Sequence, residues 1–127
     1  MENLDKYLKK IEERANTKVK DYEINLKGFD DPLKLRTLSL EERREWQYSI
    51  PANGIKTIGD ILNNQTIRKI IYEVMDLKEI AVAAKERGLI NTYYDVLDYM
   101  FTVDNLLDIV KNITDNIDGD GVDDLKN

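Results

Sequence analysis

The stretch Asp21–Trp46, DYEINLKGFDDPLKLRTLSLEERREW, constrains this chain more than any other. Tyr22, Ile24 and Leu26 alternate with Asp21, Glu23, Asn25 and Lys27, the period-two pattern of a half-buried strand. Gly28 to Pro32 supply a turn, and Leu33 and Leu35 alternate with Lys34 and Arg36, so a second short strand can pair back on the first. Ser39 and Glu42 have the spacing of a capping box, in which each side chain satisfies an orphan N–H at a helix start. The sequence therefore predicts a β-hairpin near 21–38 feeding directly into a capped helix. Nearly everything else in the chain reads as helix.

Leu4, Tyr7, Leu8, Ile11 and Ala15 form an amphipathic stripe at helical spacing. That stripe is expected to pack on the core; the competing reading is a partner-binding arm. After Trp46, Ser49 to Gly54 cannot continue a helix, because Pro51 pushes Ile50 towards extended backbone and Asn53–Gly54 is a turn dipeptide. A helical pattern resumes at Ile58, Ile61 and Leu62. It continues through Ile67, Ile70, Ile71, Val74 and Met75 with its phase shifted, which predicts a kink or break at Asn63–Asn64. Asp76 and Glu79 repeat the capping-box spacing ahead of a stripe of Leu77, Ile80, Ala81 and Ala84, and Gly88 suits a left-handed helix end. A further helix starting near Asn91 or Thr92 presents Tyr93, Val96, Leu97, Met100 and Phe101. Thr102 then caps a last helix carrying Val103, Leu106, Leu107, Val110, Ile113 and Ile117.

The expected architecture is thus mainly α with a small N-terminal β-hairpin (α+β), about five to six helices around one core. Residues 1–117 form a single domain, and 118–127 an acidic, flexible tail. A hydrophobic fraction of 42% in 127 residues is enough for a real core.

Composition narrows the chemistry. The chain has no cysteine and no histidine. It therefore has no thiol nucleophile, no Ser–His or Cys–His dyad, and no thiolate or imidazole metal ligand. No enzymatic activity and no cofactor are expected. A net charge of −6, with basic residues interleaved among acids, argues against nucleic acid as a partner. No apolar run approaches the roughly 18 residues of a membrane span, and the first residues do not read as a signal peptide, so a soluble, cytoplasmic protein is expected.

Asn116–Gly121 matches the first half of a calcium loop, but the second half fails: Asn127 stands where a bidentate Glu belongs. An acidic tail is the better account. Adjacent carboxylates such as Asp30–Asp31 and Glu41–Glu42 read as solvated surface. The seven tyrosines fall mostly on or beside apolar stripes, so core packing is expected to explain most of them. Trp46 lies about 240° around its helix from Leu40 and so off the face that Leu40 starts. With Tyr48 and Ile50 it makes a candidate partner-binding cluster, against the alternative of burial under the 49–56 loop.

Two segments carry a family likeness. Pro32-Leu33-Lys34-Leu35-Arg36-Thr37-Leu38-Ser39-Leu40-Glu41-Glu42 resembles the strand-to-helix step of the tail assembly chaperones of long-tailed phages, the XkdN-like group of phages and prophages of Gram-positive bacteria. Ile70-Ile71-Tyr72-Glu73, then Asp76-Leu77-Lys78-Glu79 to Gly88, then Tyr94 to Phe101 and the final helix are similar to that family's C-terminal half. The chain departs from it at Val103-Asp104-Asn105, where a Gly-Glu-Ile-like start is usual. The resemblance implies a non-enzymatic protein of the host bacterial cytoplasm, absent from the mature virion. It would bind the tape measure protein, hold it soluble and help recruit the tail tube protein, with homo-oligomers possible. Alternative readings are a small structural or adaptor protein of the phage tail or connector, and a calcium-responsive regulator using the acidic tail.

Overall fold

A computed structural model of the chain describes residues 3–15, 19–51 and 54–117. The elements run α1 (Leu4–Ala15), β1 (Asp21–Ile24), β2 (Leu33–Arg36), α2 (Leu40–Ser49), α3 (Ile58–Leu62), α4 (Gln65–Val74), α5 (Lys78–Glu86), a 3-10 turn (Tyr93–Asp95), α6 (Val96–Met100) and α7 (Val103–Asp115). This is the mainly helical α+β fold expected, with the hairpin where the alternation placed it. The strands pair antiparallel with Tyr22 opposite Leu35 and Ile24 opposite Leu33. Their inner face buries Ile24, Leu26 and Leu35, while Asp21 and Lys34 meet on the outside in an exposed ion pair at 3.2 Å.

The passage from β2 to α2 is held at two points. Ser39 Oγ accepts from the Glu42 N–H and Glu42 Oε1 accepts from the Ser39 N–H, completing the capping box. The same carboxylate accepts from the two terminal guanidinium nitrogens of Arg36, at 2.6 and 2.8 Å. Glu42 thus ties the strand to the helix while capping it. Burial raises its pKa, but the hydrogen bonds from Arg36 and Ser39 outweigh that and bring it down to about 2.

The break at Asn63–Asn64 is real. Asn64 Oδ1 accepts from the Ile67 N–H to start α4, and its Nδ2 donates to the Ser49 carbonyl, fixing the end of α2 against the start of α4. Gly88 ends α5 at φ 72°, with Leu89 N–H donating to Ala84 O. Thr102 and Asn105 cap α7 reciprocally. Asn105 Nδ2 also reaches the Lys27 carbonyl at 3.1 Å, so the hairpin's turn is pinned to the first turn of α7.

Four expectations fail. The α1 stripe does not pack on the core: Leu4, Tyr7, Leu8 and Ile11 are 48%, 59%, 51% and 64% exposed. Asp76 does not cap α5. It takes the left-handed conformation (φ 52°) just past the C-cap of α4, Met75, with Leu77 N–H donating to Tyr72 O and Asp76 N–H to Glu73 O, a Schellman closure normally built on glycine. Ile80 points outward, because the inner face of α5 runs through Leu77, Ala81 and Ala84. The tyrosines are not core residues either. Tyr7, Tyr48, Tyr93 and Tyr99 are exposed and Tyr22, Tyr72 and Tyr94 half-buried, since each phenol needs water or a polar neighbour. Tyr93 lies under the Lys85 ammonium and Tyr72 meets Tyr94 edge-on, with ring centroids 5.0 Å apart. The region expected to form the acidic tail, and most of the half calcium loop, lies outside the described residues.

Candidate interaction groove

The three residues singled out around Trp46 go to three different places. Trp46 has no exposed surface; its indole N–H donates to Thr114 Oγ1 on α7 at 3.3 Å. It offers a partner no area in this conformation. The physical reason lies in the inner face of α2, which follows Glu42, Arg43, Trp46, Ser49 and Ile50 at i, i+3 and i+4 spacing, while Leu40 points to solvent, 45% exposed. Taking Leu40 as the marker of the buried face inverted the helix. Tyr48 is 85% exposed on the far side, beside a polar depression with Glu41, Arg44, Glu45 and Lys69.

Ile50 alone meets an apolar surface open to solvent. It forms part of one wall of a groove of about 460 Å³, with residues 54–56 beside it and α7 opposite. Ile50, Ile55, Leu107 and Val110 supply the apolar lining, and Thr114, Lys56, Lys111 and Asp115 complete it with polar groups.

Each wall has a local cause. Ile50 caps α2 in extended backbone, as Pro51 requires, and its N–H still reaches Trp46 O at 3.2 Å. Gly54 turns the chain at φ 80°, its N–H donating to Pro51 O. Lys56 and Thr57 are then held by Asp60, whose carboxylate accepts from their N–H groups; those bonds lower its pKa. The opposite wall follows from the width of the α7 stripe. Leu106, Ile109, Val110 and Ile113 are buried, Val110 at the edge that meets the groove, and Val103 and Leu107 fall on the outer side, exposed and half-buried. Thr114 is set by Trp46 behind it.

Sequence reasoning missed Ile55 entirely and gave Leu107 and Val110 only as part of the apolar spacing of the last helix; the structure buries Val110 at 6% exposure and leaves Leu107 half-buried. The signal was present in α7, whose apolar residues cover a wider arc than one packing face consumes.

A second polar cluster proves structural. Arg68 is buried, donates to Tyr94 O and pairs in two-pronged fashion with Asp98 at 2.9 and 3.1 Å. Among the described residues no group of three or more carboxylates is placed to hold a metal ion. No helix among them is long and apolar enough to cross a membrane. The groove, apolar within and charged at its rim, suits the apolar side of an amphipathic helix. No protein-family model matches the chain, and comparison with curated proteins and with solved structures finds no similar sequence or fold.

Proposed function

We propose that the chain is a tail assembly chaperone of a long-tailed phage. It acts in the host bacterial cytoplasm without catalysis, binds the tape measure protein, keeps it soluble, helps bring tail tube subunits to it, and leaves before the virion is complete. The reading rests on the likeness of Leu33–Glu42 and Ile70–Phe101 to that family. One structural observation supports it: the groove between α7 and Ile50 with residues 54–56, walled by Ile50, Ile55, Leu107 and Val110. A tape measure protein is long, helical and partly apolar, and an apolar groove with a charged rim can cover such a helix while the complex stays soluble.

Co-expression with the tape measure protein of the same phage tests it. The soluble fraction of that long protein should rise with this chain present and fall back with Leu107→Lys, a change at a half-buried groove position. No gain in solubility with the wild-type chain would refute the proposal. Recovery of the chain in purified particles would favour the tail or connector adaptor instead.

A further inference from the structure

Among the described residues, two apolar surfaces lie open to solvent whose chemistry matches. The first is the α1 stripe, where Leu4, Tyr7, Leu8 and Ile11 are each about half exposed or more. The second is the groove lined by Ile50, Ile55, Leu107 and Val110. A volume of about 460 Å³ suits a few aliphatic or aromatic side chains from one helix face.

Charge distinguishes this match from generic stickiness. At 100° per residue, Asp5 and Glu12 border one side of the α1 stripe and Lys10 the other. The groove has opposite edges as well. On the α7 side, Lys111 and Asp115 line the groove, and at 100° per residue Asp104 and Asp108 fall on the same side of the helix as Asp115, all exposed; on the loop side stands Lys56. A helix laid with Lys10 along α7 puts Asp5 and Glu12 towards Lys56. Reversing it in the groove would place like charges together on both edges, so the pattern selects one direction.

We propose that α1 of a second copy of this chain occupies the groove, and that two copies pair by exchanging their first helices about a two-fold axis. One helix of 12 residues in a groove buries on the order of 800 Å² counting both surfaces, too little for a stable dimer. The two-fold exchange makes the contact twice and reaches roughly 1,600 Å², the size of a standard interface. The proposal does not rest on the chaperone reading, and its test needs no client protein.

The chain has no cysteine, so cross-linking reads the contact directly. Full-length Leu8→Cys and Ile55→Cys proteins, mixed in equal amounts and oxidised, should give mainly the mixed disulfide. A dominant Leu8→Cys homodimer would mean that α1 pairs with α1 and overturns the proposal, as does the absence of any cross-link. Sedimentation equilibrium of the cysteine-free chain should show a dimer with a dissociation constant on the order of 10 µM. Ile11→Ser should weaken it about tenfold and Lys56→Glu several-fold, both with unchanged far-UV dichroism. Mixing Lys56→Glu with a chain carrying Asp5→Lys and Glu12→Lys should restore part of the loss. A chain that stays monomeric at about 100 µM, or a dimer indifferent to both surfaces, rules the exchange out.

Discussion

The indole N–H of Trp46 donates to the hydroxyl of Thr114 at 3.3 Å, joining α2 to α7 across 68 residues of sequence. The ring behind that bond is fully buried. Trp46→Ala is therefore expected to cost about 3–5 kcal/mol, a large share of the 5–15 kcal/mol that typically holds a domain together. Thr114→Val removes only the bond and should cost about 1 kcal/mol. Urea unfolding followed by the emission of the single tryptophan measures the Thr114 variant, and dichroism the other. A wild-type midpoint for Trp46→Ala would contradict the packing.

Arg68 and Asp98 should respond unequally. The Arg68 side chain is 6% exposed and that of Asp98 39%. Asp98→Ala leaves a buried guanidinium with only the Tyr94 carbonyl, and is expected to cost about 2–4 kcal/mol. Arg68→Met leaves a carboxylate that can turn to water, and should cost less. Chemical denaturation of the two variants side by side decides it; equal losses would mean that solvent already reaches Arg68.

Glu42 makes stability acid-sensitive. Its folded pKa is about 2 against an ordinary 4.5. Because the folded value is the lower one, its contribution is complete above the ordinary value and drains away as pH falls from about 5 towards 2. Full linkage would amount to about 3 kcal/mol, which partial exposure of the pair with Arg36 reduces to about 1–2 kcal/mol. Glu42→Gln should flatten that part of the stability curve, measured by thermal melts across the acid range. An unchanged slope would assign the acid sensitivity to other carboxylates.

Asp76 holds a backbone angle that glycine holds more cheaply. At φ 52° its Cβ crowds the neighbouring carbonyl. Asp76→Gly should be stabilising by about 0.5 kcal/mol, and Asp76→Val destabilising by about 1–2 kcal/mol, since a branched Cβ suits that region worst. Denaturation midpoints of the two variants, shifted in opposite directions, are the expected result.

Where local physics decides the structure, the sequence was readable. Alternation in Tyr22–Leu26 and Leu33–Arg36 located the hairpin, and the reciprocal side chains of Ser39 with Glu42, and of Thr102 with Asn105, located two helix starts. The phase slip at Asn63–Asn64 located a break. Where a face is chosen by what lies opposite it, reading failed. Leu4, Tyr7, Leu8 and Ile11 have a good helical stripe, yet pattern alone cannot say whether the core has room for it. Leu40 looked like the inner marker of α2, and Trp46 took that place because α7 offers both an apolar surface and the Thr114 hydroxyl. Asp76 misled because the same Asp-x-x-Glu spacing serves a helix start, while an Asp can also close the helix before it. The groove was half legible: Ile50 was named, but its opposite wall depends on how α7 is rotated.

The last helix also sets a schedule. Asn105 on α7 holds the Lys27 carbonyl of the hairpin turn, and Thr114, near its end, holds Trp46. Both contacts join early chain to late chain, spanning 78 and 68 residues. On a ribosome the hairpin and α2 are made long before either partner exists, so they wait without their anchors until α7 clears the exit tunnel. Folding is therefore expected as a single late event rather than a progressive one, and Trp46 stays open to water, and to any holding factor, until α7 emerges.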